Sequence, residues 1–420
     1  MAILDTATAG VDADAIARIG ETNAEPGWLG DLRATWWERA EATPWPTGAE
    51  EEWRRTSLDL LPRHAELLLD APSVRCALED EYAARGVVFS DLRTAVREHP
   101  DLVRRYLGKH ETLETHARFW ALAHAAWTGG TFLYVPAGVE IDRTLMARTQ
   151  LARADVAYFP ITLVVAERGS SVTLLEEVVS PDGAAGWFGG VVDVSANDGA
   201  RVRYANLQRL GDGAWNLGAQ RVEVGQDANV TTLNAEVGSK VTKVGLDVRM
   251  SGKGGTSRLL GLLAAGDDQH IDINSVQDLG ASYTTSNLLY LSGLYDRARA
   301  AFYGVIKVRP GAKQTSSYQE CRNLLLSPSA GAESIPVLEI EENDILRCGH
   351  GATAGAIDPV QRFYAQSRGL DAAEVERMIV RGFFEQVVSR IDSEEIKDRV
   401  LAALAGRIGS ADGFEDGAAA

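Results

Sequence analysis

Gly169-Ser170-Ser171-Val172, Gly199-Ala200-Arg201-Val202 and Asp227-Ala228-Asn229-Val230 are one phrase written three times, at intervals of 30 and 28 residues. Each begins on a turn former and ends on a valine that enters a β-rich run. A degenerate fourth copy, Gly255-Thr256-Ser257-Arg258, follows after another 28 residues. That period is too short for a propeller blade and suits the coils of a β-solenoid; a sandwich has no fixed period. The runs around the phrases agree. Residues 161–166, 172–179, 191–194, 202–207, 222–224, 230–237 and 241–250 are rich in Val, Leu and Thr and are broken by Gly, Asp and Asn. Short strands so punctuated, with no helix-period segment among them, predict a mainly β chain built on a β-helix.

Outward from the repeats, the β character starts at Gly129-Gly130 and ends near residue 356. Upstream, the pattern is helical. Five of nine tryptophans (Trp28, Trp36, Trp37, Trp45 and Trp53) fall in one stretch and predict the core of a small helical unit. Ser90 stands as a helix cap, Pro100 opens a further helix, and a third runs from about Thr112 to Ala126. His116 and His124 share a face of that third helix, without acidic or thiol partners at matching spacing. Downstream, Asp358-Pro359 and Asp371-Ala372-Ala373-Glu374 read as helix starts, and Gly369 as a stop. Val375, Met378, Ile379, Phe383, Phe384, Val387, Val388 and Ile391 form a broad apolar stripe, and a last helix follows Asp392-Ser393. The expected organisation is an N-terminal helical domain over 1–128 with a mobile start, a β-helix over 129–356, a C-terminal helical domain over 357–408 and a disordered tail over 409–420.

The formal net charge of −17 argues against a nucleic-acid or anionic-membrane binder, which would need a basic face. Three cysteines, Cys76, Cys321 and Cys348, without CxxC spacing, suit a reducing compartment. With no signal-peptide pattern and no run of ~18 apolar residues, the expectation is a soluble cytoplasmic protein. GxxxxGK[ST], GxSxG and HExxH are absent, so the chain is not itself a P-loop ATPase. Gly252-Lys253-Gly254-Gly255 lies between strands and reads as a turn. His270, Asp272 and Asn274 alternate along one strand and read as a polar ladder, solvent-facing or hydrogen-bonded.

The chemistry-bearing pair is Cys348 and His350, two residues apart at the end of the last β run. In a strand both address the same face, so one iron, one sulfur species or one partner surface can meet both. A packing role for the thiol is the plain alternative.

Around this pair stand Lys313-Gln314-Thr315-Ser316-Ser317-Tyr318-Gln319-Glu320-Cys321-Arg322-Asn323, Ser334-Ile335-Pro336-Val337-Leu338, Cys348-Gly349-His350-Gly351-Ala352-Thr353-Ala354-Gly355, Phe363-Tyr364, Ser367-Arg368-Gly369 and Arg381-Gly382-Phe383. Together they resemble the SufB/SufD family of the SUF iron–sulfur cluster assembly system. The His-Gly-Ala-Thr-Ala-Gly ending and the chain length resemble the SufD branch more than the SufB branch. The resemblance implies a right-handed parallel β-helix flanked by N-terminal and C-terminal α-helical domains. It also implies a non-catalytic scaffold subunit that pairs with a SufB-like scaffold through the end of the β-helix. A SufC-like ATPase would dock on the C-terminal helices, at Phe363, Tyr364, Arg368, Gly369, Arg381, Gly382 and Phe383. His350, and with it Cys348, would meet a transient iron–sulfur cluster or iron at the SufB interface, with no cofactor held stably by this chain alone. Cys321 departs from the pattern and carries no expected role. A SufB-type primary scaffold would want more cysteines along the β region, and a polysaccharide-cleaving β-helix enzyme would prefer a secreted chain.

Overall fold

The three valines that mark the repeat stack on one another inside the molecule. In the computed structural model, which describes residues 11–63, 65–110, 116–183 and 185–407, Val172 pairs with Val202, and Val202 with Val230, in parallel register. All three are buried. Successive strands fall alternately into two sheets. The first sheet stacks Gly130–Val135, Ile161–Ala166, Val191–Ala196, Trp215–Val224, Val241–Met250, His270–Leu279, Arg299–Val308 and Gly331–Ile340. The second stacks Glu140–Gln150, Ser171–Val179, Arg201–Arg209, Asn229–Glu236, Thr256–Ala265, Thr285–Leu294, Ser316–Leu325 and Arg347–Ala356. The result is a mainly β chain built on a β-solenoid of about eight turns, with helices at both termini.

The fourth phrase is out of frame by one residue. Thr256 pairs with Asn229, and Ser257, not Arg258, continues the valine column. That coil is one residue shorter than the spacing suggests, and its inward position is polar. Ser257 Oγ donates to Ser286 Oγ at 2.8 Å, and Ser317 Oγ donates to the Ser286 carbonyl at 2.9 Å. Because these hydroxyls satisfy each other, the column tolerates serine where valine stood before.

Along one edge, each coil turns from the first sheet to the second through a residue with positive φ: Gly138, Gly169, Gly199, Asp227, Gly254, Tyr283 and Gln314. Each donates its N–H to a carbonyl of the following coil, as Gly199 does to Gln226 and Tyr283 to Lys313. Glycine is the low-cost occupant of such a left-handed position. Tyr283, at φ 62°, takes it with a bulky side chain stacked under Lys253 Nζ, 5.0 Å from the ring centroid.

Three apolar clusters build the molecule in layers. The lumen between the sheets is lined by inward residues such as Val222, Ile273 and Phe302. The N-terminal region lies over the outer face of the first sheet, where Trp36, Trp53, Trp120 and Trp127 pack against Phe132, Leu163 and Trp215. The C-terminal helices Ala372–Val388 and Glu394–Ala405 cover the outer face of the second sheet. There Val380, Phe384, Val387, Ile396 and Leu404 meet Leu233, Leu260, Leu262 and Leu289. The apolar stripe therefore packs on the solenoid wall, except Met378, which is exposed. Asp371 and Glu374 form the expected capping box, and Gly369, at φ +98°, follows the preceding helix.

The N-terminal region also supplies strands. Val88–Asp91 pairs antiparallel with Gly130–Val135, and Arg75–Cys76 with Glu140–Gln150, so both edges of the first coil are covered. Cys76 thus caps that end of the lumen rather than lying outside the β region. Asp91, not Ser90, caps the helix Leu92–Glu98, accepting from Arg93 N; Ser90 sits within the short strand. His116 and His124 are buried beside Trp53 and Trp36, and burial pulls the His124 imidazole down to about 4. Their surroundings are aromatic and keep both rings neutral.

His270, Asp272 and Asn274 do share a strand face, but it is not solvated: Asp272 and Asn274 are buried under residues 52–56. Lys243, wholly buried, donates to Asp272 at 2.7 Å, to Asn274 at 2.7 Å and to the Glu52 carbonyl. Thr56 Oγ1 donates to Asp272 at 2.6 Å and lies 2.9 Å from His270 Nε2. The polar ladder is the fastening of the N-terminal strap. No helix among the described residues is long and apolar enough to cross a membrane. The expected mobile start and disordered tail fall, but for residues 11 onward at the start, outside the described residues, as does the start of the helix placed from Thr112.

Candidate functional site

The two ends of the solenoid differ. The first coil is covered by antiparallel strands; the last coil, Gly331–Ile340 and Arg347–Ala356, has a neighbour on one side only. Gly331 N bonds to the Ala298 carbonyl, Glu341 N to that of Val308 and Arg347 N to that of Thr315. Odd-numbered residues therefore face back into the sheets. Backbone groups alternate sides along a strand, so the even-numbered residues turn their N–H and C=O outward, as unpaired edges. Pro336 sits at one of these outward positions, where its missing donor disturbs no bond within the chain.

The same even-numbered residues point their side chains into the lumen. Cys348 continues the column of Ser257, Ser286 and Ser317, and His350 stands in register with buried Gln319. Cys348 is half-buried against the lumen core, and His350 is exposed on the lip. Their Cα atoms are ~6.6 Å apart by strand rise. Across the mouth the first sheet presents Ala332, Ser334, Pro336 and Leu338 by the same alternation. Burial raises the Cys348 thiol above its usual range and favours its protonated form.

One coil beneath lies Cys321, which spacing alone did not connect to the pair. It is buried, accepts from Ser334 Oγ at 3.5 Å and Asn323 Nδ2 at 3.8 Å, and is pushed up to about 11 by burial against those two hydrogen bonds. Asn323 Nδ2 also donates to the Thr353 carbonyl at 3.0 Å, tying the floor of the mouth to its lip. Among the described residues, no three His, Cys, Asp or Glu side chains converge as a metal-holding group. The outer side of the last strand is bare. Gly349 and Gly351 lie under the Tyr318 ring, and a Cβ on Gly351 would meet the Tyr318 hydroxyl at 3.0 Å. Arg347 closes over the same ring at 4.2 Å.

The other motif residues lie on the C-terminal helices. On Pro359–Ser367, Val360, Phe363 and Tyr364 share one face, and Phe363 and Tyr364 are 72% and 60% exposed. Arg368 covers the Tyr364 ring at 5.1 Å. Exposed Met378 and Leu370 extend the apolar surface and were not singled out by the motifs. Arg381 and Gly382 are exposed, whereas Phe383 turns partly into the cluster over the second sheet.

Comparison with known proteins bears directly on this architecture. Residues 149–383 match the family model described as the SUF system FeS cluster assembly, SufBD core domain, and residues 70–146 match the SufBD protein N-terminal region. The iron-sulfur cluster assembly protein SufD of Bacillus subtilis is 28% identical over 432 residues, covering 94% of this chain and 97% of that protein. An iron-sulfur cluster assembly SufBD family protein of Staphylococcus saprophyticus is 28% identical over 336 residues, covering 79% of this chain and 72% of its own. A protein of the same description from Staphylococcus epidermidis gives the same figures. With the core model spanning more than half of its length, from the end of the first coil through the open end into the C-terminal helices, the chain belongs to the SufBD family of SUF-system iron–sulfur cluster assembly proteins.

Proposed function

We propose that this chain is a non-catalytic scaffold subunit of the SufD type. Its open solenoid end closes on a SufB-like subunit, and its C-terminal helices dock a SufC-like ATPase. The observation that supports the reading best is the last coil, with two unpaired strand edges and Cys348 and His350 on its lip. Edges this long are templates for another chain unless something covers them. An iron–sulfur cluster, or iron, is the cargo at that junction. Thiolate and imidazole are donor types that iron accepts, and two donors from this lip leave the other positions to the partner. A cargo held by two subunits is released when they part. The three free thiols suit a reducing compartment such as the cytoplasm.

His350→Ala is expected to leave assembly with the SufB-like and SufC-like subunits intact and to lower cluster formation in the purified complex about tenfold. Absorbance of the reconstituted complex reads the yield. An unchanged yield removes His350 from the site.

The docking face has its own test. Phe363→Ser with Tyr364→Ser is expected to weaken capture of the SufC-like ATPase at least about tenfold, as loss of aromatic anchors does. Both rings are largely exposed, so the unfolding midpoint of the isolated chain should not move. Retained ATPase binding would place the docking face elsewhere.

A further inference from the structure

On the outer face of the first sheet, Glu223, Arg249, Asp278, Lys307 and Glu339 lie directly opposite one another, one per coil. The signs alternate without a break. Arg249 reaches Asp278 at 3.8 Å, Arg309 clasps the same carboxylate at 2.8 and 3.1 Å, and Lys307 reaches Glu339 at 3.3 Å. Directly opposed like charges destabilise a sheet and opposed unlike charges support it. The ladder stops at Glu339 because the chain has no further coil. Its carboxylate is 49% exposed and has Lys307 on one side, and among the described residues no strand pairs on the other. Along the same edge strand the outward residues run Glu333, Ile335, Val337, Glu339, and Glu333 is 61% exposed with Arg55 at 2.8 Å.

We infer that the surface that continues this sheet belongs to a partner strand presenting Lys or Arg, two apolar residues, and Lys or Arg at alternate positions. Its basic residue opposite Glu339 is the next rung of the ladder. This rests on the open end being the SufB-like interface, and it adds the chemistry by which that partner is chosen. The acid–apolar–apolar–acid order reads the same from both ends, so the requirement holds for either strand direction. It also disfavours a second copy of this chain: a two-fold pairing about Pro336 sets Glu333 against Glu339 twice, an arrangement that repels and suppresses the wrong partner. The electrostatic part is strongest at low salt.

The test uses the full chain and the SufB-like subunit of the same organism, with Kd measured at low and high salt. Glu339→Lys is expected to weaken the complex at least about tenfold at low salt. Glu339→Gln, which places no charge against Lys307, should weaken it a few-fold and flatten the salt dependence. Ala354→Pro removes an outward donor on the other edge and reports on the edge itself. If Ala354→Pro weakens the complex and both Glu339 variants bind as the unaltered chain does, the charge inference is overturned while the interface stands. If Ala354→Pro has no effect, the interface reading falls and takes the inference with it. Self-association of the unaltered chain through this edge that Glu339→Lys does not strengthen would also overturn it.

Discussion

Asp272→Ala is expected to destabilise the chain by about 3–5 kcal/mol, seen as a lower denaturant midpoint. Lys243 is wholly buried, and of its three acceptors only Asp272 carries charge. Burial already pulls the ammonium below its usual range, with Asp272 pulling the other way. Without Asp272 the lysine is either charged and unpaired or neutral, and both states cost stability. Thr56 loses its carboxylate acceptor too and keeps only His270, so the strap over the first sheet loosens. Asp272→Leu combined with Lys243→Met should recover most of the loss, because a buried ion pair replaced as a whole by apolar groups is often neutral. A single variant as stable as the unaltered chain would show that the strap is held by its apolar contacts alone.

Phe384→Ala should cost a comparable amount, about 3–5 kcal/mol. Phe384 is fully buried between the long C-terminal helix and the second sheet, where its ring tip stands 3.0 Å from where a Cβ on Gly293 would be. The facing Gly293 has no side chain to fill the space. Hydrogen exchange should then rise across Ala372–Val388 before the lumen strands respond. Equal protection loss in the lumen would mean that the helices and the solenoid unfold as one unit. Truncation after Ile357 goes further and bares Leu233, Leu260, Leu262 and Leu289 at once. Such a chain is expected to aggregate, so lost ATPase capture by it would not isolate the docking role. The exposed Phe363 and Tyr364 do.

What the sequence made legible follows from where its signals are local. Val172, Val202 and Val230 announced the coil because stacked inward positions want the same residue type and the turn before them wants the same conformation. The frame was lost at Ser257 for a physical reason: hydroxyls that bond across coils replace the valine, and the coil is one residue shorter. His270, Asp272 and Asn274 were correctly placed on one face, but alternation cannot tell water from a strap formed some 200 positions earlier in the chain. Cys348 and His350 were placed together by the two-residue period of a strand. Only the pairing of the last coil shows that both sit on an unpaired edge at a lumen mouth. Cys321 was given no role because its neighbours at the floor, Ser334 and Asn323, come together only through sheet stacking.

The column of left-handed turns has a consequence for how such a chain can lengthen or shorten through inheritance. Inside a strand, gain or loss of one residue turns every following side chain inside out. In a turn it does not, since the strands on either side keep their own pairing while the turn between them changes length. The coils here already differ in length: the coil from Asn229 to Thr256 is shortened between Glu236 and Val241, at the opposite edge, and lengthened at its left-handed turn, with the register on either side undisturbed. Insertions and deletions thus have a tolerated address at the turns of either edge. The mouth, which has no following turn to absorb a change, is the part of the solenoid whose length lineages are least free to alter.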